Sequence, residues 1–131
     1  MTTDGGIYII GGDDDRRLSN NRVYRIDLDM SANIIDITRK QNMIYGAFDF
    51  AICQSEQFIY IIGGKGGRDE ILNQVQRYNI RTDTWDLLAP NTHRRYAASA
   101  VFMRGSDRIF LVGGRGDGRN QMYSIIETYD V

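Results

Sequence analysis

Ile59-Tyr60-Ile61-Ile62-Gly63-Gly64 is a run of four apolar residues that ends in a glycine pair. The pattern recurs as Ile7-Tyr8-Ile9-Ile10-Gly11-Gly12 and as Ile109-Phe110-Leu111-Val112-Gly113-Gly114. From Gly11 to Gly63 is 52 residues and from Gly63 to Gly113 is 50, a period typical of solenoids and propellers. The chain therefore reads as a repeat array.

The same events surround each glycine pair, and the middle copy shows them all. Phe48 to Cys53 is an apolar-rich run, followed by the polar turn 54–57 and the β-branched, aromatic run 58–62. The glycine pair ends that run, because glycine accepts the backbone angles of an abrupt exit, and the polar loop 65–70 follows. Val75 to Ile80 then alternates apolar and polar residues, and the turn 81–83 leads to Thr84–Leu88. Four short antiparallel strands, A to D, thus come from about 45 residues, the content of one propeller blade. The first copy supplies strands B, C (Val23 to Leu28) and D (Ile34 to Ile37). The third supplies A (Ala97 to Met103), B (Ile109 to Val112) and C (Ile125 to Val131). Expected are ten strands, with a partial blade over 1–40, a complete one over 45–90 and a partial one over 94–131. No window shows a sustained helical period; 69–76 comes nearest and is expected to be loop. Closed propellers usually need about four to eight four-stranded blades, so this all-β chain is expected not to close a ring alone.

With its glycine pairs, a tyrosine downstream of each (Tyr24, Tyr78 and Tyr129), and Trp85 seven residues after Tyr78, the sequence resembles the kelch-repeat family. The resemblance covers nearly the whole chain. It implies a kelch-type β-propeller whose tyrosine and tryptophan fill the space between blades. The first repeat departs from the pattern, with no tryptophan near Ser31 or Ala32. Ala97-Ala98-Ser99-Ala100 suits an innermost strand, because strands converge near a propeller axis and leave little room for large side chains.

Composition narrows the functional classes. Hydrophobic residues make up 42% of the 131 positions, enough for a core, and the net charge of −1 gives no overall pull towards nucleic acid or anionic membrane. No basic segment with a following apolar run opens the chain, and no apolar stretch approaches the roughly 20 residues of a spanning helix. One cysteine, Cys53, cannot form an internal disulfide. The expectation is a soluble, cytoplasmic, unexported chain.

Chemistry-bearing motifs are sparse. Kelch-like galactose oxidases would need copper held by histidines and tyrosines, whereas His93 is the single histidine, expected to be solvated in its loop. Cys53 lacks a basic neighbour in sequence and reads as a core thiol. Gly63-Gly64-Lys65-Gly66-Gly67 does not match a phosphate-binding loop and reads as a blade loop. Arg115-Gly116-Asp117 falls in the equivalent loop, and Asp13-Asp14-Asp15 lacks calcium-loop spacing. No catalytic residue, cofactor or metal is expected.

Loop charge is the most informative pattern. Successive antiparallel strands reverse direction, so B–C and D–A loops emerge on one side and A–B and C–D loops on the other. Residues 13–22, 38–47, 65–74, 88–96 and 115–123 fall on the first side. They hold eleven basic residues against six acidic ones, a net of +5, while the rest of the chain carries −6. The candidate contact residues are Arg16, Arg17, Lys65, Arg68, Arg94, Arg95, Arg115 and Arg119, joined on that face by Arg22, Arg39 and Lys40. Guanidinium groups bind carboxylates bidentately, so such a face favours an acidic protein segment. Kelch adaptors dock partner peptides on this loop face, often through arginines, and the resemblance implies a scaffold or adaptor serving a ubiquitin-ligase or cytoskeletal partner. The alternative is a segment of a propeller enzyme with its active site elsewhere. Nucleic acid is not expected as a partner, and exposed strand edges are expected to be covered by a longer propeller or by self-association.

Overall fold

The computed structural model of the chain describes every residue except 1, 3, 15 and 17. Ten strands form in the expected order: β1 (Ile7–Ile10), β2 (Val23–Leu28), β3 (Ile34–Lys40), β4 (Ala51–Gln54), β5 (Phe58–Ile62), β6 (Val75–Asn79), β7 (Thr84–Leu88), β8 (Ser99–Met103), β9 (Arg108–Val112) and β10 (Ile126–Asp130). Within each sheet, strands adjacent in sequence pair antiparallel. The result is a three-stranded, a four-stranded and a three-stranded sheet, β1-β2-β3, β4-β5-β6-β7 and β8-β9-β10. A 3₁₀ turn, Gly67–Asp69, interrupts the loop after the second glycine pair.

Burial explains why the middle B strand reads as an unbroken apolar run. Successive side chains leave a strand on opposite faces, and β5 is covered on both. Ile59 and Ile61 join Val23, Met43 and Tyr78 in a cluster against the first sheet. Tyr60 and Ile62 join Ala51, Val75, Ile109 and Leu111 in a cluster against the third. Each fully buried side chain of this size contributes about 1.5–3 kcal/mol relative to its exposed state. β4 and β8 pack against each other at the inner edges, where Ala98 and Ala100 leave the room that convergence requires.

Both glycines of every pair are left-handed, at φ 62° and 104°, 61° and 96°, and 67° and 96°. A β-carbon on Gly64 would lie 2.6 Å from the Phe48 carbonyl oxygen, and one on Gly63 would lie 2.5 Å from that of Arg95. The pair thus turns the chain and lets two other backbones approach it.

Register corrects several details read from spacing. Tyr78 pairs with Ile59 and Tyr129 with Ile109, each four residues before its glycine pair, but Ile26 pairs with the equivalent Ile7. Tyr24 pairs instead with Ile9 and occupies the place of Gln76 and Glu127. The tryptophan position likewise falls on Ile37, opposite Ile26, because the β2–β3 connection is longer and β2 carries an irregularity at Asp27/Leu28. The inner strands start later than their apolar runs suggest. Phe48 and Tyr96 bridge to Lys65 and Arg115, and Asp49 and Ala97 then take left-handed φ values of 52° before β4 and β8 begin. β3 runs to Lys40, so Arg39 and Lys40 lie on a strand rather than in the 38–47 loop.

The ten strands do not close a ring. Ile61 is 1% exposed beneath the first sheet, while the equivalent Ile9 is 51% exposed. Ile62 is 2% exposed beneath the third sheet, while the equivalent Val112 is 43% exposed. The outer faces of the first and third sheets therefore present apolar surface of the kind that the middle sheet buries.

Gly64→Ala is expected to lower stability by about 1–3 kcal/mol, through left-handed strain and collision with the Phe48 carbonyl. Exposed Gly67→Ala, whose new methyl meets only the Ser19 hydroxyl at 3.9 Å, should change it by less than about 0.5 kcal/mol. Urea denaturation of the two variants checks this contrast.

Candidate functional site: the loop face beside the glycine pairs

The loop after each glycine pair is clamped by backbone. Lys65 donates its N–H to the Phe48 carbonyl (2.8 Å) and accepts from the Phe48 N–H (3.0 Å). Arg115 repeats this with Tyr96, at 2.8 Å and 2.9 Å. The second glycine also donates across the seam to the strand-D-to-A connection of the next blade, from Gly12 to Ala47 (3.0 Å) and from Gly64 to Arg95 (2.8 Å). Two residues past the first glycine there is thus a recurrent, rigidly held cation position, occupied by Lys65 and Arg115.

The eight candidate cations divide by environment. The Lys65 ammonium sits 4.2 Å from the centre of the Tyr96 ring and 5.9 Å from that of Phe48, with Asp69 Oδ1 at 3.8 Å. Arg94 is exposed, 3.6 Å from Glu70 Oε1, and donates to the Ile71 carbonyl at 3.3 Å. Arg16, Arg68, Arg115 and Arg119 are exposed, and Arg68 takes a left-handed φ of 57° inside the 3₁₀ turn. Arg17 lies outside the described residues. Arg95 differs from all of these: it is 0% exposed. Its guanidinium donates to the Gly113 carbonyl at 2.9 Å and to Glu127 Oε2 at 2.6 Å, and lies 4.6 Å from the centre of the Tyr123 ring. It ties the second sheet's exit to the third sheet.

Glu127 gathers the rest of that joint. Its carboxylate accepts from the Thr92 N–H at 2.6 Å, and His93 Nδ1 lies 3.2 Å from Oε2. His93 is therefore not simply solvated; it also packs on Tyr123 with ring centres 5.2 Å apart. Burial works to raise the Glu127 pKa. The hydrogen bonds from Thr92 and His93 and the charge of Arg95 outweigh it and hold the carboxyl below its ordinary value of 4.5.

The equivalent joint between the first two sheets has a neutral amide where the other has Glu127, and a carboxylate, Asp83, at a different place. Buried Gln76, at the position matching Glu127, accepts from the Tyr45 N–H (2.8 Å) and donates to the Tyr45 carbonyl (3.0 Å). Asp83, held at φ 55°, accepts from the Tyr78 hydroxyl (2.7 Å) and the Gln41 N–H (2.9 Å). Trp85 donates its indole N–H to the Gln41 carbonyl (2.9 Å). Burial, reinforced by Asp83, pushes the Tyr78 hydroxyl far above its ordinary pKa, so it stays a donor. Sequence reading missed Gln76, Asp83 and Glu127. For Gln76 and Glu127 the one legible signal is a polar residue two positions before a blade tyrosine, as in Gln76–Tyr78 and Glu127–Tyr129.

The chemistry of the remaining motifs is structural. Burial pushes the Cys53 thiol up to about 12, far from the thiolate form a nucleophile needs. Asp14 Oδ1 accepts from the Arg16 and Leu18 N–H groups, a turn-closing role. Among the described residues no group of three or more His, Cys, Asp or Glu is placed to hold a metal ion.

Glycine-paired strands, the inner-to-outer order of four strands and the tyrosine–tryptophan joint define a segment of a kelch-type β-propeller. The Kelch motif family matches residues 48–92, which span the complete sheet and its exit, and the chain belongs among the kelch-repeat proteins. It is 24% identical to mouse Kelch-like protein 15 over 112 residues, covering 82% of this chain and 17% of that protein. It is 31% identical to Kelch-like protein 23 of Pongo abelii over 91 residues, covering 68% and 15%. An F-box/kelch-repeat protein of Arabidopsis thaliana is 22% identical over 134 residues, covering 98% of this chain and 34% of that protein. The chain thus spans about a third or less of the length of these relatives.

Two outcomes test the charged joint. Arg95→Met should cost about 3–5 kcal/mol in thermal or urea unfolding, because it leaves the Glu127 carboxylate without its buried partner. The folded Glu127 pKa lies below the unfolded one, so its contribution is complete above about pH 4.5 and is lost as pH falls through the folded value. The unfolding midpoint of Glu127→Gln should fall less steeply between pH 5 and about pH 2 than that of the parent.

Proposed function

We propose that this chain is a protein-interaction module that takes an acidic segment of a partner on the loop face beside the glycine pairs. The observation that carries the reading is the segregation of charge along the sequence, with +5 over residues 13–22, 38–47, 65–74, 88–96 and 115–123 and −6 over the remainder. Of that count, Arg39 and Lys40 stand at the end of β3 and Arg95 is buried. The exposure of Arg16, Arg68, Arg94, Arg115 and Arg119, and the backbone clamps that fix Lys65 and Arg115, support it. Fixed cations bind a carboxylate with less loss of freedom than mobile ones. Arg17 belongs to the same charged loop by sequence. Arg95 acts in this reading as a positioning residue, holding the connection that carries Arg94.

The scaffold or adaptor role, with a ubiquitin-ligase or cytoskeletal partner, and the cytoplasmic setting extend the same proposal. Similarity to Kelch-like proteins and to an F-box/kelch-repeat protein is consistent with a binding role. The free thiol of Cys53 agrees with a reducing compartment.

The test is a peptide array of randomised octamers probed with the chain. Bound sequences should be enriched in Asp and Glu, and raising salt from 50 to 500 mM should weaken them. Charge reversal of Arg68, Arg94, Arg115 and Arg119 to Glu should reduce capture at least about tenfold, with an unchanged melting temperature. Undiminished capture by that folded variant would sink the proposed face. Salt-sensitive binding of a mixed-sequence oligonucleotide without peptide selectivity would move the assignment to nucleic acid.

A further inference from the structure

Two connections of ten residues lead from one sheet to the next, 41–50 at the first seam and 89–98 at the second, and they correspond residue for residue. Phe48 and Tyr96 each bridge to the residue after a glycine pair, and Asp49 and Ala97 after them share a left-handed φ of 52°. Ala47 and Arg95 each accept from the second glycine of the preceding pair, and both are 0% exposed. Four positions earlier, Met43 and Asn91 are buried as well. Each connection is thus pinned at two buried points, with three residues raised between them. At the second seam these are Thr92, His93 and Arg94, a polar set; at the first they are Ile44, Tyr45 and Gly46.

Ile44 is 46% and Tyr45 44% exposed, although they sit on backbone that is held from both sides. Buried Gln76 accepts from the Tyr45 N–H and donates to its carbonyl. Loop 18–21 of the first sheet is laced to the same connection: the Met43 N–H donates to the Asn21 carbonyl (2.8 Å), the Asn21 amide to the Met43 carbonyl (3.3 Å) and the Ala47 N–H to the Asn20 carbonyl (3.3 Å). A β-carbon on Gly46 would lie 3.0 Å from the Ser19 carbonyl oxygen, so the contact leaves no slack. That loop brings a third exposed apolar side chain, Leu18, to the same seam. Large apolar groups fixed in this way bind at little cost in conformational freedom, the usual property of an anchor residue at an interface.

Resting on the acidic-segment reading above, we infer that Ile44 and Tyr45 are an apolar anchor point of the loop face and that the partner segment carries a large apolar residue beside its carboxylates. Charge complementarity selects that occupant. Exposed Arg94 stands on the corresponding connection at the next seam, and exposed Arg68 follows Gly67, which faces the Ser19 hydroxyl. A wholly acidic segment would leave the apolar pair in water, and a wholly apolar one would cover guanidinium groups without giving them partners. No motif marks either residue in the sequence; the burial of Met43, Ala47 and Gln76 around them turns them outward.

The probes are two fluorescein-labelled octapeptides, each with four aspartates, that differ only in carrying phenylalanine or serine two positions before the first aspartate. Fluorescence anisotropy should show the 131-residue chain binding the phenylalanine peptide at least about tenfold more tightly. Ile44→Ser together with Tyr45→Ser, at the parent melting temperature, should shrink that ratio to less than about twofold. Ile44→Thr with Tyr45→His, the residues of the second seam, should do the same and keeps the test open if the serine variant unfolds. Equal affinity for the two peptides in the parent chain, or a ratio that survives both substitutions, would overturn the anchor and leave the acidic reading standing. Binding of neither peptide would sink both. Self-association of the parent that these variants abolish would also overturn the anchor, because a second copy would then occupy it.

Discussion

Everything in this molecule hangs on the close approach of backbone to backbone at the glycine pairs. Two consecutive left-handed residues turn each B strand out of its sheet, and the missing β-carbons let the carbonyls of Phe48 and Arg95 come within hydrogen-bond range of the loop that follows. L-residues with side chains reach such angles only at a cost of order 1–3 kcal/mol each. The geometry therefore demands glycine twice in each copy. The same contact turns a chain of hairpins into a stack of blades, because the second glycine donates to the connection entering the next sheet.

Given that contact, the rest of the joint can vary in chemistry. Between the first two sheets it contains no buried ion pair and is built from Gln76, Tyr78, Asp83 and Trp85 around the backbone of residues 41–45. Between the second and third it is ionic, built from Arg95, Glu127 and His93. A buried ion pair is costly to desolvate and survives because each charge also has neutral partners: Gly113 and Tyr123 for the arginine, Thr92 for the carboxylate.

That division of labour bears on function. A cation whose backbone is locked by a pair of hydrogen bonds, as at Lys65 and Arg115, is already ordered before anything binds. Lys65 and Arg115 are thus fixed positions of charge rather than parts of mobile tails. The arginine that looks most like part of the basic face in sequence, Arg95 beside Arg94, is withdrawn into the joint and serves to hold its neighbour outward.

The sequence by itself determined the repeat, the number and order of strands, their antiparallel pairing and the side on which each loop emerges. Those properties follow from local rules: a two-residue alternation, apolar runs covered on both faces, and glycine where the chain must turn sharply. It did not determine register across repeats, so Tyr24 looked equivalent to Tyr78 and Tyr129 while Ile26 holds that place, and the tryptophan slot fell on Ile37 rather than near Ser31 or Ala32. A longer connection shifts every later position without leaving a trace in composition. Nor did it determine which arginines face solvent. Arg95 is buried because Glu127, 32 residues away, and the Gly113 carbonyl meet it across a seam. Only the tertiary structure brings those atoms together, and burial of a charge is decided by such distant partners rather than by the residues beside it in the chain.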